Sequence, residues 1–139
     1  MDNKYLNYLA LARKGRLVEV GEEPVGAAAR ALKAHLILVA SDASDHTWRR
    51  AKAFAAGTDQ QCIRLNCTKE EMGFVVGRTS LAIAAFTDAA LALAFVKALP
   101  DQEKVKEVRE VLDLKSRKLR QRKDEAKAHE RNVRFGKKK

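Results

Sequence analysis

The sequence is poor in cysteine, proline and aromatic residues. It has two cysteines and two prolines in 139 residues, and aromatic residues make up 6%. Cys62 and Cys67 lie five positions apart with no second Cys or His pair nearby, so neither a zinc site nor a disulfide framework is supported. We therefore expect two reduced, partly buried thiols and no metal site.

Long hydrophobic runs are also missing. No stretch approaches the ~20 apolar residues that a membrane-spanning helix requires, and the N-terminal segment meets a cluster of basic residues instead of a small-residue cleavage site. The sequence predicts a cytoplasmic protein without a membrane partner. Its composition, 46% hydrophobic and 33% charged, is typical of one globular domain with a charged appendage.

Motifs for catalysis are absent from the sequence. The three histidines are far apart, no glycine-rich phosphate loop follows a predicted strand, and no nucleophile lies in a recognisable elbow. One acidic cluster with a histidine, formed by Asp42, Asp45 and His46, follows a predicted strand, but Asp and Ser at a helix start are far more often caps. We expect no enzyme activity, no catalytic residue and no cofactor.

The charge that is present is positive and unevenly distributed. The formal net charge is +10. Residues 1–99 hold 13 Lys and Arg against 10 Asp and Glu, whereas residues 100–139 hold 15 against 8. Because neutralising phosphates releases counterions, a basic excess in a cytoplasmic protein points first to nucleic acid.

Residues 1–99 alternate between predicted helices and strands. The central segment 35–44 begins with the apolar run 36–39, which is typical of a strand buried on both faces, and continues with small polar residues that cap the next helix. The predicted order is a helix ending at Gly15, a strand at 17–20, a helix from Glu22, the strand 36–39, a helix capped by Ser44 that ends near Gly57, a strand at 62–65, a helix capped by Thr68, a strand at 81–86, and a helix capped by Thr87 or Asp88 that reaches Leu99. This alternation predicts a three-layer α/β/α sandwich as one domain.

Residues 100–139 are predicted to form a basic helical extension. From Asp101 to about Arg131 there is no glycine or proline, so the pattern predicts one long helix, followed by a disordered end at 132–139. Its first half carries an apolar stripe: Val105, Val108, Leu112 and Leu119. Six of the ten residues at 114–123 are cations and none is acidic: Lys115, Arg117, Lys118, Arg120, Arg122 and Lys123.

Two interpretations of this extension remain open. A helix that loses its apolar stripe as it gains cations is suited to lie against RNA phosphates. Alternatively, Val105, Leu112 and Leu119 are spaced by sevens and could form a short coiled-coil seam with a second copy. That second interpretation describes a protein-interaction or dimerisation module, and we expect a monomer or a weak dimer.

Two blocks of the sequence resemble a known family. GEEPVGAAARALKAHLILVASDAS (21–44) and TKEEMGFVVGRTSLAIAAFTD (68–88) resemble the superfamily of small ribosomal and kink-turn RNA-binding proteins, specifically its bacterial ribosome-associated members. The resemblance covers about residues 5–98. It implies an α/β/α sandwich with a four-stranded mixed sheet and binding to ribosomal or other structured RNA. It implies no cofactor and no catalysis.

In that family a helix N-terminus enters the bent RNA, and its opening loop typically reads Gly-x-Asn-Glu-x-x-Lys. Here Gly21 matches the glycine, whereas Glu23, Pro24 and Ala27 replace the asparagine, glutamate and lysine. Gly21 and the amides near Glu22 and Glu23 can still present donors to an anion or a base edge.

The resemblance implies further RNA contacts. A second family loop corresponds to four residues: Gly77, Arg78, Thr79 and Ser80. Arg78 can fork onto a phosphate, and the hydroxyls can donate to the RNA backbone or a 2′-OH. Asp42 occupies the acidic position that follows the central strand in many relatives, and Lys14 and Arg16 are expected to contact phosphate if the Gly21 loop is used.

Overall fold

The structure is a computed structural model that describes residues 4–134, with side chains described as far as residue 129. It is an α/β fold with ten elements. In chain order these are α1 (Leu6–Lys14), β1 (Val18–Val20), α2 (Glu22–Arg30), β2 (Leu36–Val39), α3 (Asp45–Ala55), β3 (Gln61–Arg64), α4 (Lys69–Val75), β4 (Ile83–Phe86), α5 (Ala89–Lys97) and α6 (Lys106–Arg134).

The four strands form one mixed sheet in the order β1-β4-β2-β3. β2 and β3 are parallel, whereas β4 runs antiparallel to both β1 and β2. In the register, Phe86 lies opposite Val18 on one side and Leu36 on the other. Strands β1, β2 and β3 therefore point the same way, and the predicted four-stranded mixed sheet is confirmed.

This topology gives the sheet two distinct ends. We call the end where β1, β2 and β3 finish and β4 starts the Gly21 rim, which comprises the loops after Val20, Val39 and Arg64 and the loop before Ile83. The opposite end, which comprises the loops before Val18, Leu36 and Gln61 and the loop after Phe86, is the Asp88 rim.

The two inner strands carry the core. Every residue of β2 and of β4 is buried, as the unbroken apolar runs predicted. Fully burying an aliphatic side chain contributes about 1.5–3 kcal/mol, so these two strands supply much of the driving force for folding. Phe86 also packs against Phe95 of α5, with ring centroids 5.1 Å apart.

Helices cover both faces of this sheet, as the three-layer prediction requires. α2 and α3 contact each other and the sheet on one side, whereas α1 and α5 contact each other and the sheet on the other. α4 packs against α1, and α6 packs against α5 and so lies outside that helix layer.

Three predicted helix caps are confirmed. The Ser44 side chain accepts a hydrogen bond from the Thr47 amide at the start of α3. Thr68 and Glu71 form a capping box at the start of α4, in which each side chain bonds the other residue's backbone amide. Asp88 caps α5 by accepting from the Leu91 amide.

The predicted start of the long helix was wrong. Residues 102–105 form turns, and α6 begins at Lys106. Nε2 of the Gln102 side chain donates to the Val96 and Leu99 carbonyls, so this residue closes the end of α5 instead of starting a new helix. The α5 helix itself ends at Lys97, two residues before the predicted Leu99.

The far end of α6 also differs from the prediction. The helix includes residues 132–134, which the sequence assigned to a disordered end. The rest of that predicted end, residues 135–139, lies outside the described residues. Within residues 4–134, no helix combines the length and the apolar character needed to cross a bilayer.

Candidate nucleic-acid interface

Gly21 forms the turn between β1 and α2 at the Gly21 rim. Its φ of 100° lies in the left-handed region that favours glycine. Its amide donates to the Ile83 carbonyl of β4, and its own carbonyl accepts from the Val25 amide in the first turn of α2. No side chain caps this helix N-terminus, so the turn presents backbone only.

The Arg78 loop folds back tightly onto α4. The Arg78 amide donates to the Gly73 carbonyl, and Gly77 has a positive φ of 77°. A β-carbon on Gly73 would lie 2.8 Å from both the Arg78 carbonyl oxygen and the Ser80 nitrogen. The loop backbone therefore packs directly against Gly73. In this conformation Arg78, Thr79 and Ser80 are exposed.

The two turns meet at the Gly21 rim. Nη1 of Arg78 lies 3.6 Å from the position that a β-carbon would occupy on Gly21. The guanidinium thus lies beside the side of Gly21 where any other residue would carry its side chain. Among the side chains that the structure describes, no carboxylate forms a salt bridge with Arg78. This pairing of an uncompensated cation with a bare helix N-terminus is a suitable surface for an anion.

The glutamates that open α2 differ in their surroundings. Oε2 of Glu22 lies 2.8 Å from Nε of Arg50, which belongs to α3, whereas Glu23 is exposed. Arg50 also lies over the Phe54 ring, 5.3 Å from its centroid. Arg50 therefore offsets one of the two negative charges beside the Gly21 turn. Sequence reasoning missed this partner because nothing local links α2 to α3.

Asp42 lies at the same rim but is engaged in the fold. Its Oδ1 accepts a hydrogen bond of 2.8 Å from the Lys69 amide at the start of α4. The carboxylate thus joins the loop after β2 to a helix 27 residues later. The sequence assigned Asp42 to the RNA surface. In the structure its carboxylate instead bonds the Lys69 backbone amide at the start of α4.

Lys14 and Arg16 lie at the other rim. They precede β1, whereas Gly21 follows it, and a strand rises about 3.3 Å per residue. Lys14 lines a shallow groove with Asp88 and Leu91 of the α5 region. These two cations are therefore separated by the length of β1 from the Gly21 turn with which the sequence grouped them.

The cationic run of α6 also lies at the Asp88 rim. Arg120 and Lys123 line a cavity of about 270 Å³ together with His35 and Asp88. Two other cations of the run are paired: Nζ of Lys115 lies 2.9 Å from Asp59, and Arg117 bonds Asp113 one turn earlier. For the remaining four, no salt bridge is found among the described side chains: Lys118, Arg120, Arg122 and Lys123.

His35 faces this part of the long helix. Burial lowers the pKa of His35 from its ordinary value, and the nearby Lys115 ammonium lowers it further, against the opposing effect of Asp59 and Asp88. Its Nδ1 is buried, and no hydrogen-bond partner for that atom lies in the described part of the chain. Burial and the Lys115 ammonium both favour the neutral form of the ring.

The cysteines are free, as predicted. Cys62 is partly exposed and Cys67 is buried. Burial raises the pKa of the Cys62 thiol to about 12 and that of Cys67 to about 11, which keeps both sulfurs protonated. Across the described residues, no three His, Cys, Asp or Glu side chains are grouped so that they could hold a metal ion.

One exposed aromatic residue was also missed. Phe74 of α4 is 83% exposed, and its carbonyl accepts the Gly77 amide at the base of the Arg78 loop. At about 100° per residue, Phe74 lies on the side of α4 opposite to Met72. The turn of α4 that buries Met72 and Gly73 directs Phe74 to the surface.

No protein-family model and no curated protein matches the chain. Solved structures do resemble it. One is a protein of unknown function from Bacillus halodurans C, with 20% sequence identity, a TM-score of 0.61, and coverage of 81% of this chain and 99% of that one. Another is the Giardia lamblia 15.5kD RNA binding protein, with 14% identity, a TM-score of 0.61, and coverage of 78% and 92%. The likeness is one of fold.

Proposed function

We propose that this protein binds structured RNA, either ribosomal or kink-turn-like. In this proposal the Gly21 and Arg78 turns form the recognition surface, and the cations of α6 add phosphate contacts. The observation that carries the proposal is the placement of Nη1 of Arg78 3.6 Å from the position that a β-carbon would occupy on Gly21. The Gly21 amide is already bonded to Ile83, so a phosphate there meets the charged fork together with the backbone amides of Glu22 and Glu23.

Two further observations support this function. The Giardia lamblia protein of similar fold is an RNA binding protein. The Glu22 carboxylate, which would repel a phosphate, is paired with Arg50 at 2.8 Å. The sequence departs from the family loop at Glu23, Pro24 and Ala27, so the Arg78 loop carries more of the recognition than in relatives with the full motif.

The protein acts as a binding protein in this proposal, without an enzymatic step. Of the candidate acid–base cluster, Asp42 bonds the Lys69 amide and Asp45 occupies the first turn of α3. We also infer a cytoplasmic location, with association to the ribosome as one setting for the RNA.

Dimerisation through α6 is the weaker alternative. Val105 and Leu112, two of the three residues in the possible coiled-coil seam, are buried within the chain itself. A seam with a second copy would require α6 to leave α5. A monomer therefore agrees better with the packing of this helix.

The proposal is tested by titrating a bent RNA with an internal loop, and a fully paired duplex of equal length, while following fluorescence anisotropy. Arg78→Gln keeps a polar amide but shortens the side chain and removes the charged fork. We expect affinity for the bent RNA to fall roughly 10- to 150-fold, since charge-assisted hydrogen bonds contribute roughly 1.5–3 kcal/mol. Affinity for the duplex should change less.

Arg30→Gln is the matched control. Arg30 is exposed in the last turn of α2, at the opposite end of that helix from Gly21. Its loss removes the same charge and should leave the preference for bent RNA intact. Equal losses for the two variants would show that only net charge matters and that the Gly21 rim is not the recognition surface.

A further inference from the structure

The cations of the Asp88 rim form a surface of their own. The groove beside Lys14 and the cavity beside Arg120 and Lys123 share two lining residues, Asp88 and Ala90. Cations from α1 and from α6 therefore flank one short stretch at the start of α5. We call Lys14, Arg16, Arg120 and Lys123 the Asp88-rim cations.

This surface keeps a net positive charge despite the aspartate at its centre. Oδ2 of Asp88 accepts a hydrogen bond from the Leu91 amide, so that carboxylate is committed to capping α5. No salt bridge to the Asp88-rim cations is found among the described side chains. Four cations around one committed carboxylate produce a potential that attracts a polyanion.

The protein body separates this surface from the Gly21 turn. β1 runs from one rim to the other, with Arg16 before it and Gly21 after it. α6 begins near the Gly21 rim, where Val105 lines a pocket with Leu65, and reaches the Asp88 rim at Arg120. That span of 15 residues corresponds to about 22 Å of helix.

Beyond the Asp88 rim the long helix leaves the body. Every side chain from 121 to 127 is exposed, so this part of α6 is available to a ligand on several sides. The direction of the helix carries its cations away from Gly21 and Arg78. An RNA segment docked along this end therefore has no direct access to the recognition surface.

We propose that the two rims bind two separate RNA segments, so that one protein molecule bridges two RNA helices. The inference rests on the proposed function for the Gly21 rim. It adds that the Asp88-rim cations hold a second segment through its phosphates, without reading its sequence. The ligand class at this second surface is double-stranded RNA.

A two-step capture experiment tests this bridging. The bent RNA is immobilised, loaded with the full-length protein and washed, and a fluorescent plain RNA duplex is then added. We expect the duplex to be retained in proportion to the protein loaded. Arg120→Gln/Lys123→Gln should load normally but retain about tenfold less duplex, because two phosphate contacts are lost.

Lys104→Gln/Lys106→Gln is the control for charge alone. Both lysines are exposed near the start of α6, and their replacement removes the same charge from the other end of the helix. This variant should retain the duplex as the unmodified protein does. Circular dichroism of both variants verifies that the helix is intact.

The outcomes separate the two proposals. Failure of the protein to load on the bent RNA would contradict the proposed function itself. Normal loading combined with release of the protein by the added duplex would mean that one surface binds both RNAs, and bridging would be overturned. Retention that is equally reduced in both double variants would also overturn it, because the Asp88 rim would then have no special part.

Discussion

At the scale of single residues, the candidate interface depends on glycines where backbone segments come close. Gly21 permits a positive φ beside Arg78, and Gly73 lets the Arg78 loop fold against α4. The sequence indicated Gly21 and Gly77 through the family motif. It gave no sign that Gly73 matters, because the clash that a β-carbon would cause comes from residues five and seven positions later.

Gly73→Ala should therefore destabilise the protein, although alanine favours helices. The new β-carbon would meet the Arg78 carbonyl and the Ser80 nitrogen at 2.8 Å, and backbone atoms cannot move aside as a flexible side chain can. Overpacking of this kind costs about 1–3 kcal/mol in the free energy of unfolding, measured by urea denaturation. Gly15→Ala is the control: its β-carbon would meet ordinary contacts at 3.6 Å, and we expect little change. An equal loss at both positions would contradict the steric account.

At the scale of elements, the sequence predicted best what is decided locally. The caps at Ser44, Thr68 and Asp88 bond amides three residues away, so residue type and spacing were sufficient. The start of α6 was missed because Gln102 bonds carbonyls of the preceding helix, a contact that depends on how α5 ends. The link from Asp42 to Lys69 spans 27 residues and had no local signal.

The attachment of α6 can be tested with two leucines on the same helix. Leu112 is fully buried, whereas Leu114 is 52% exposed. Leu112→Ala should reduce the free energy of unfolding by about 2–5 kcal/mol, because it removes buried methyl groups and leaves a cavity. Leu114→Ala should change it by less than about 0.5 kcal/mol. If both variants changed the free energy of unfolding by similarly small amounts, in thermal and in urea unfolding, α6 would not fold with the body.

At the scale of the whole molecule, the sequence showed that cations are in excess but did not show where they lie on the surface. It grouped Lys14 and Arg16 with the Gly21 loop, since they are close in sequence. The strand between them places these cations at the opposite rim, next to the middle of α6, more than 100 residues further along the chain. The sheet topology therefore determines this distribution of charge, with Arg78 at one rim and the Asp88-rim cations at the other.

This distribution predicts that salt affects the two rims differently. Each phosphate contact contributes roughly 0.9 to the slope of log affinity against log salt concentration. For plain duplex RNA, Arg120→Gln/Lys123→Gln should lower that slope by about 2, measured by anisotropy at several salt concentrations. Arg78→Gln should lower it by less than about 1, since Arg78 lies at the Gly21 rim. Lys104→Gln/Lys106→Gln matches the first variant in charge and should leave the slope unchanged. If it lowers the slope equally, the duplex responds to total charge and the Asp88-rim cations have no separate role.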